Sequence, residues 1–384
     1  MQPERICRQP QTKAKQTAMD IILATLPSTK FGAATTTQNI EFGRFNIADR
    51  TFVVDESATE AVRVVTSFSD ERGNAVKSFL FKLIGFDEFD VSAKSIFMAY
   101  YPGCLREGFI AEGIVDVQSN NAYGNGFCIH SNTYVSLDSN NTFEPGTVVS
   151  MPDLDSLHLP RSGFKTNDGL KSALRQSTMN IRILSRIDSM IYRYENPLAT
   201  DYTGDTEELP DYITDPTVQE MRTRSVETAE LERGRVYSIA CTGGSGLTID
   251  ASETLREVVI ISPCEIKFTG GSSIEDARII SKNTSSDSIN APAGLRVGRN
   301  DNCDPGGGAQ LITNGGMRFP ADLQLYGAQL MAKGDISFAA NASGVQGASL
   351  IAGGEISGTS NMNMGLCLDG MEDNIEIPYF RLAG

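Results

Sequence analysis

The sequence predicts a mainly β protein: a parallel β-solenoid (β-helix) with a small N-terminal α+β domain and a helical insertion. Three observations predict it. GAQLMAKGDIS (Gly327–Ser337) and GASLIAGGEIS (Gly347–Ser357) match at seven of eleven positions, twenty residues apart. AQLITNGGM (Ala309–Met317) fits the same frame nineteen residues earlier, and ARIISKN and VVIISPCEIKF are looser copies. The 36 glycines crowd into the second half with Asn and Ser, the composition of many tight turns. A repeat of this length cannot bury its own apolar residues, whereas stacked repeats can. The expectation is that the pairs Leu330–Met331 and Leu350–Ile351 are sealed inside one shared column.

Taken in chain order, residues 1–103 read as a weak helix ending at Pro27, followed by the α+β unit. QNIEFGRFN, RTFVVD and EAVRVVTSFSD alternate as strands. AVKSFLFKLIGF reads as a short amphipathic helix stopped by Gly85, and FDVSAKSIFMAYYP returns as a strand. Residues 104–162 form the first solenoid rungs, with Ile110, Ile129 and Val149 as equivalent positions 19 and 20 residues apart. Residues 163–232 are the helical insertion: Leu174, Ile181, Leu184, Ile187 and Ile191 stand at helical spacing, an acidic linker follows, and PTVQEMRTRSVETAELERG reads as a second short helix. Residues 233–384 are the C-terminal solenoid, from which RNDNCDPGGG is thrown out as a loop at one corner.

Charge excludes one class of partner. A net charge of −15 repels phosphate, and the basic residues near the start (Arg5, Arg8, Lys13, Lys15) are too sparse to offset it, so no nucleic acid is expected. Seven cysteines include no CxxC, and His130 and His158 lack ligand spacing, so no metal or cofactor is expected. Setting Cys7 aside leaves six cysteines, which suits disulfides in an oxidising compartment; Cys104 and Cys128, one rung apart, are the expected pair. The best apolar run near the start, Ala18–Leu26, is short and holds Asp20, so no membrane span is predicted.

Catalytic constellations are thin. Asp335 and Glu355 occupy equivalent repeat positions and would stack about 5 Å apart, the spacing of a retaining glycosidase pair. Repeat-related acids more often form a solvated ladder, and no Arg or His lies near them in the sequence. Cys128 and His130 share a strand face, but a disulfide would consume the thiol. Asp250, Ser252 and Thr254 form a DxSxT pattern without the doubly wound surroundings of a metal-dependent adhesion site, so a turn is expected. No catalytic, cofactor-binding or metal-binding residues are therefore expected.

The stretch TFVVDESATEAVRVVTSFSDERGNAVKSFLFKLIGFDEFDVSAKSIFMAYYPGC resembles TadE/TadG-like proteins of the Flp (Tad) pilus assembly system. The likeness lies in the order of an AVRV strand, a FLFKLIGF segment ending at a glycine, and a strand opening with Val91–Ala93. It covers roughly residues 17–165, and Lys94–Ser95 departs from the small apolar residues usual there. The resemblance implies a non-enzymatic, structural or adhesive pilus component in the periplasm or at the cell surface. Its implied partners are other pilus-assembly or envelope proteins and, on a β-helix, surface glycans. It also implies an N-terminal membrane anchor; no segment of this sequence is predicted to be one, so an anchored protein is expected if an upstream helix is missing. The competing expectation is a polysaccharide-binding or -cleaving β-helix.

Overall fold

The computed structural model describes residues 11–199, 209–244, 246–358, 361–367, 371–372 and 374–383. Arg5, Arg8, Cys7 and most of the acidic linker lie outside them. The chain divides into two compact units. One gathers the residues up to Tyr101 with the stretch from Pro378 onward; the other holds most of what lies between Pro102 and Ile377.

The first unit has a helix, Gln11–Thr25, and an antiparallel sheet in the order Thr51–Val54, Ile40–Asn46, Ala61–Phe68, Val91–Tyr100, Tyr379–Leu382. Its central strand, AVRVVTSF, is β-branched at four of eight positions, the side chains that suit a pleated surface. The outermost strand, Tyr379–Leu382, expected among the C-terminal repeats, pairs instead with Phe97–Tyr100. The predicted helix over residues 75–86 is a hairpin. Val76–Lys77 pairs with Glu88–Phe89, and a single 3₁₀ turn, Phe81–Ile84, lies between them. Apolar residues fall on every side of that segment, so no helical face exists to pack. Gly85 does end the turn, in the left-handed conformation at φ 92°.

The second unit is a parallel sheet with three ladders of strands. In the first ladder Leu311, Leu330, Leu350, Phe109, Ile129 and Val149 are successive partners. In the second, Met317, Ile336, Ile356, Val115 and Val135 are stacked in the same way. The third stacks Leu325, Val345, Met364, Tyr123 and Phe143. All sixteen belong to one buried cluster.

Stacking order differs from chain order. Ser349–Ala352, near the end of the chain, pairs with Gly108–Ala111, so both repeat regions share one unbroken stack. The chain enters mid-stack at Gly108, climbs to Leu174–Gln176, and resumes at the far end with Asp215–Thr223.

Three sequence expectations are corrected here. Ile110 pairs with His130, not Ile129; the true row is Phe109–Ile129–Val149, and a slip of one residue reverses the face. The apolar pairs do not both enter the core. Successive strand residues point to opposite faces, so Leu330 joins the central cluster while Met331, also fully buried, does not. Of the predicted helices of residues 163–232, the second becomes strand and the first is interrupted, keeping its helical form around Ile187 and Ile191. Leu174–Gln176 pairs with Val149–Met151, and Asp215–Thr223 with Arg235–Cys241, because a ladder partner outweighs helical spacing. What remains helical is Leu170–Ala173, the 3₁₀ turns Gly163–Thr166, Leu184–Arg186 and Thr228–Glu230, and Ile187–Glu195.

That last helix belongs to a strap that runs back along the outer side of the first ladder. Asn132 Nδ2 donates to Met179 O at 2.6 Å, Lys333 Nζ meets Asp188 at 2.6 Å, Lys282 pairs with Glu195, and Arg278 donates to the Tyr194 hydroxyl. Its apolar residues Ile181, Ile187, Met190 and Ile191 are buried, as is the outer row Ile312, Met331, Ile351 and Ile110 beneath it. Disulfides join Cys104 to Cys128, Cys241 to Cys264, and Cys303, on the loop that RNDNCDPGGG makes, to Cys367.

Candidate interaction surface

The residues weighed for catalysis are tied up in local structure. Asp335 Oδ1 accepts the Glu355 N–H at 2.8 Å across a repeat corner, where the intervening Gly354 leaves room for the carboxylate; a Cβ there would stand 1.9 Å from Oδ1. Burial, and then the nearby carboxylates of Asp116 and Asp335, push the Glu355 carboxyl above its usual range. The pair is stacked, but one member serves the turn. Cys128 is bonded to Cys104 and has no thiol. Asp250 Oδ1 accepts from the Ser252 N–H and the Thr269 hydroxyl, both at 3.1 Å, and these bonds hold its carboxyl below the usual range. Among the described residues no group of three or more His, Cys, Asp or Glu side chains is arranged to hold a metal ion.

His130 is fully buried in a network that spacing did not reveal. Asn132 Oδ1 accepts the Met179 N–H, and the same oxygen lies 3.0 Å from His130 Nε2. That oxygen can only accept, so Nε2 carries the ring proton and Nδ1 accepts from the Ser150 hydroxyl at 2.8 Å. Burial drives this imidazole's pKa below the ordinary 6.5, outweighing the Asn132 bond and the Glu112 carboxylate. The network anchors the start of the strap.

A second buried feature was legible but missed. Ser119–Asn121 and Ser139–Asn141 both read Ser-Asn-Asn, twenty residues apart. The first Asn of each pair turns the corner in the left-handed conformation, at φ 64° and 63°. The second points inward: Asn121 Nδ2 donates to Asn141 Oδ1 at 2.9 Å, and Asn141 Nδ2 to Asn167 Oδ1 at 3.1 Å. The chemistry of this unit is thus spent largely on itself.

The first unit is different. Among its described residues 11–101, the buried hydrophobic side chains are only Met19, Ala34, Ile40, Ala58 and Ala61. A cross-strand row, Phe42–Val62–Phe97–Leu382, runs over the sheet, and Phe97 and Leu382 are exposed. The hairpin goes further: Phe79, Leu80, Phe81, Leu83, Ile84 and Phe86 are each more than half exposed, reaching 92% at Phe79 and 88% at Leu83. Soluble monomers rarely present so many large apolar side chains together, so the hairpin is the candidate interaction surface. The signal for it was an apolar run with no helical face.

Residues 108–368 match the model of a family described as Domain of unknown function (DUF7867). Residues 5–96 match a model described as Tad-like Flp pilus-assembly, which relates this part of the chain to Tad proteins without singling out TadE or TadG. No curated protein and no solved structure matches the chain.

Proposed function

Because the chain belongs, over residues 108–368, to the family described as Domain of unknown function (DUF7867), and its head matches a Tad-like Flp pilus-assembly family, we propose that it is a non-enzymatic structural component of a bacterial Flp pilus-assembly system. The observation that carries this reading is the match over residues 5–96. The TadE/TadG-like order of elements supports the finer assignment within that system.

In this reading the second unit is a β-solenoid in which residues 104–162 and 233–377 form one column, and it works as a stiff spacer or adhesive body. Support comes from the repeat-to-repeat register of its three ladders and from polar side chains engaged in internal ladders. Three disulfides suit an oxidising compartment, so the periplasm or cell surface is the proposed location, with other pilus-assembly or envelope proteins as partners. Among the described residues no helix is long and apolar enough to cross a membrane.

The end strand Asp215–Thr223 favours a unit that does not polymerise end to end. It carries Pro216 and a register break between Asp215 and Val218, with Glu220 and Arg222 beyond, devices that blunt a sheet edge. Deleting the gene and complementing it with the full chain tests the role. Loss of assembled pili and of surface attachment, restored by complementation, is expected; unchanged pili and attachment in the deletion strain would remove the proposal.

A further inference from the structure

We propose that the hairpin Val76–Phe89 inserts its tip into a lipid surface. The case does not depend on the pilus reading; it starts from where the apolar side chains lie. A segment that docks in a protein groove offers one apolar face and keeps the other wet. Here Phe79, Leu80, Phe81, Leu83, Ile84 and Phe86 lie on and beside a single 3₁₀ turn, each more than half exposed and Phe79 and Leu83 almost wholly so, and a one-sided groove would leave part of such side chains wet. An apolar medium that surrounds the tip can cover them. A segment apolar all round belongs in a protein core or in lipid, and the exposure of this one takes it out of the core of its own unit.

The backbone meets part of the second requirement. Water is absent from the hydrocarbon region, so polar groups entering it need internal partners. In the tip, Ser78 N–H donates to Asp87 O at 2.8 Å, Leu83 N–H to Leu80 O at 3.4 Å, Gly85 N–H to Lys82 O at 3.2 Å and Phe86 N–H to Phe81 O at 3.0 Å. Phe81 N–H is capped by the Ser78 hydroxyl at 3.0 Å. The rings of Phe81 and Phe86 each pack on Phe89, with centroids 5.6 and 6.4 Å away, which fixes the tip's shape before any contact is made.

Charge sets the depth. From Ser78 to Phe86 the only charged residue is Lys82, whose long stem can carry its ammonium back to the headgroups. The acids Asp87, Glu88 and Asp90 sit at the base and stay in water, so insertion is confined to the first layer, about 5–10 Å deep. A chain of net charge −15 is repelled by anionic headgroups, so apolar area drives binding, and binding persists in salt and on neutral lipid.

Flotation of the purified full chain with phosphatidylcholine vesicles, at low and high salt, tests this. The chain is expected to co-float at both. Leu83→Asp and Phe79→Asp should each reduce vesicle affinity by about tenfold or more, since each removes one large side chain from the apolar layer. Both positions lie at the exposed tip and leave the Phe81–Phe86–Phe89 packing intact, so folding should be unchanged by circular dichroism. Val53→Asp, which places a carboxylate opposite Arg44 on an exposed strand elsewhere in the same unit, should leave binding intact. Failure of the wild-type chain to float, or equal flotation of L83D, overturns the proposal. So does a wild-type dimer that L83D converts to monomer without any vesicle binding, because the tip would then be a self-interface. Since the assay uses purified protein and lipid, its failure is distinct from an unchanged deletion phenotype.

Discussion

His130 shows how a single side chain ties chemistry to stability. Its ring is fully buried, neutral, and bonded on both nitrogens, so adding a proton places a charge where water cannot reach. Its pKa in the folded chain lies below the unfolded value. The stability it contributes is therefore complete above about pH 6.5 and falls as the pH drops below that. The denaturant midpoint should decline between about pH 7 and about pH 5, and His130→Gln should flatten that decline while lowering the midpoint at neutral pH. A midpoint that does not change over this range, or a slope that H130Q leaves untouched, would contradict the assignment. The asparagine ladder illustrates a related point. Asn121 and Asn141 tolerate burial because each amide nitrogen donates both to a carbonyl of its own turn and to the next repeat's amide oxygen.

Among the elements, the strap is the most instructive. Its helix Ile187–Glu195 has only nine residues, too short to persist alone, so its order comes from packing. It covers apolar residues that the ladders leave on their outer side, and its ion pairs are partly exposed and contribute little by comparison. Ile187→Asp should therefore release the strap while the ladders stay paired. The measurable consequence is limited proteolysis within residues 177–199 accelerated by about tenfold or more, with the β signature in circular dichroism retained. Equal protease resistance in the variant would show that the strap is held by other means. Concerted loss of the β signal would show that strap and ladders unfold as one.

For the molecule as a whole, the disulfides brace a chain whose stacking order and sequence order disagree. Cys104–Cys128 and Cys241–Cys264 close loops of 24 and 23 residues, while Cys303–Cys367 spans 64. Loop-closure entropy makes the short bridges worth about 3 kcal/mol each and the long one about 4 kcal/mol. Reduction should lower the melting temperature, and Cys303→Ser/Cys367→Ser should account for the largest single share. A melting curve indifferent to reductant would show that the stacked core alone sets stability.

The periodicity of residues 309–357 by itself determined that this region is β-structure repeating every nineteen or twenty residues, because identical spacing leaves identical side chains in line. Leu330 does pair with Leu350, and Gly85 does end its turn. Other features were written in the sequence but took tertiary structure to decide. Whether Ile110 or Phe109 faces the core depends on a register of one residue, which spacing of nineteen against twenty cannot fix. The residues read as helix at 216–234 and 174–184 became strand or strap because a parallel partner was available only once distant segments met. The candidate site follows the same rule. FLFKLIGF is plainly apolar in the sequence, but exposure is a property of what surrounds a segment, and only the fold shows that these side chains stand more than half exposed.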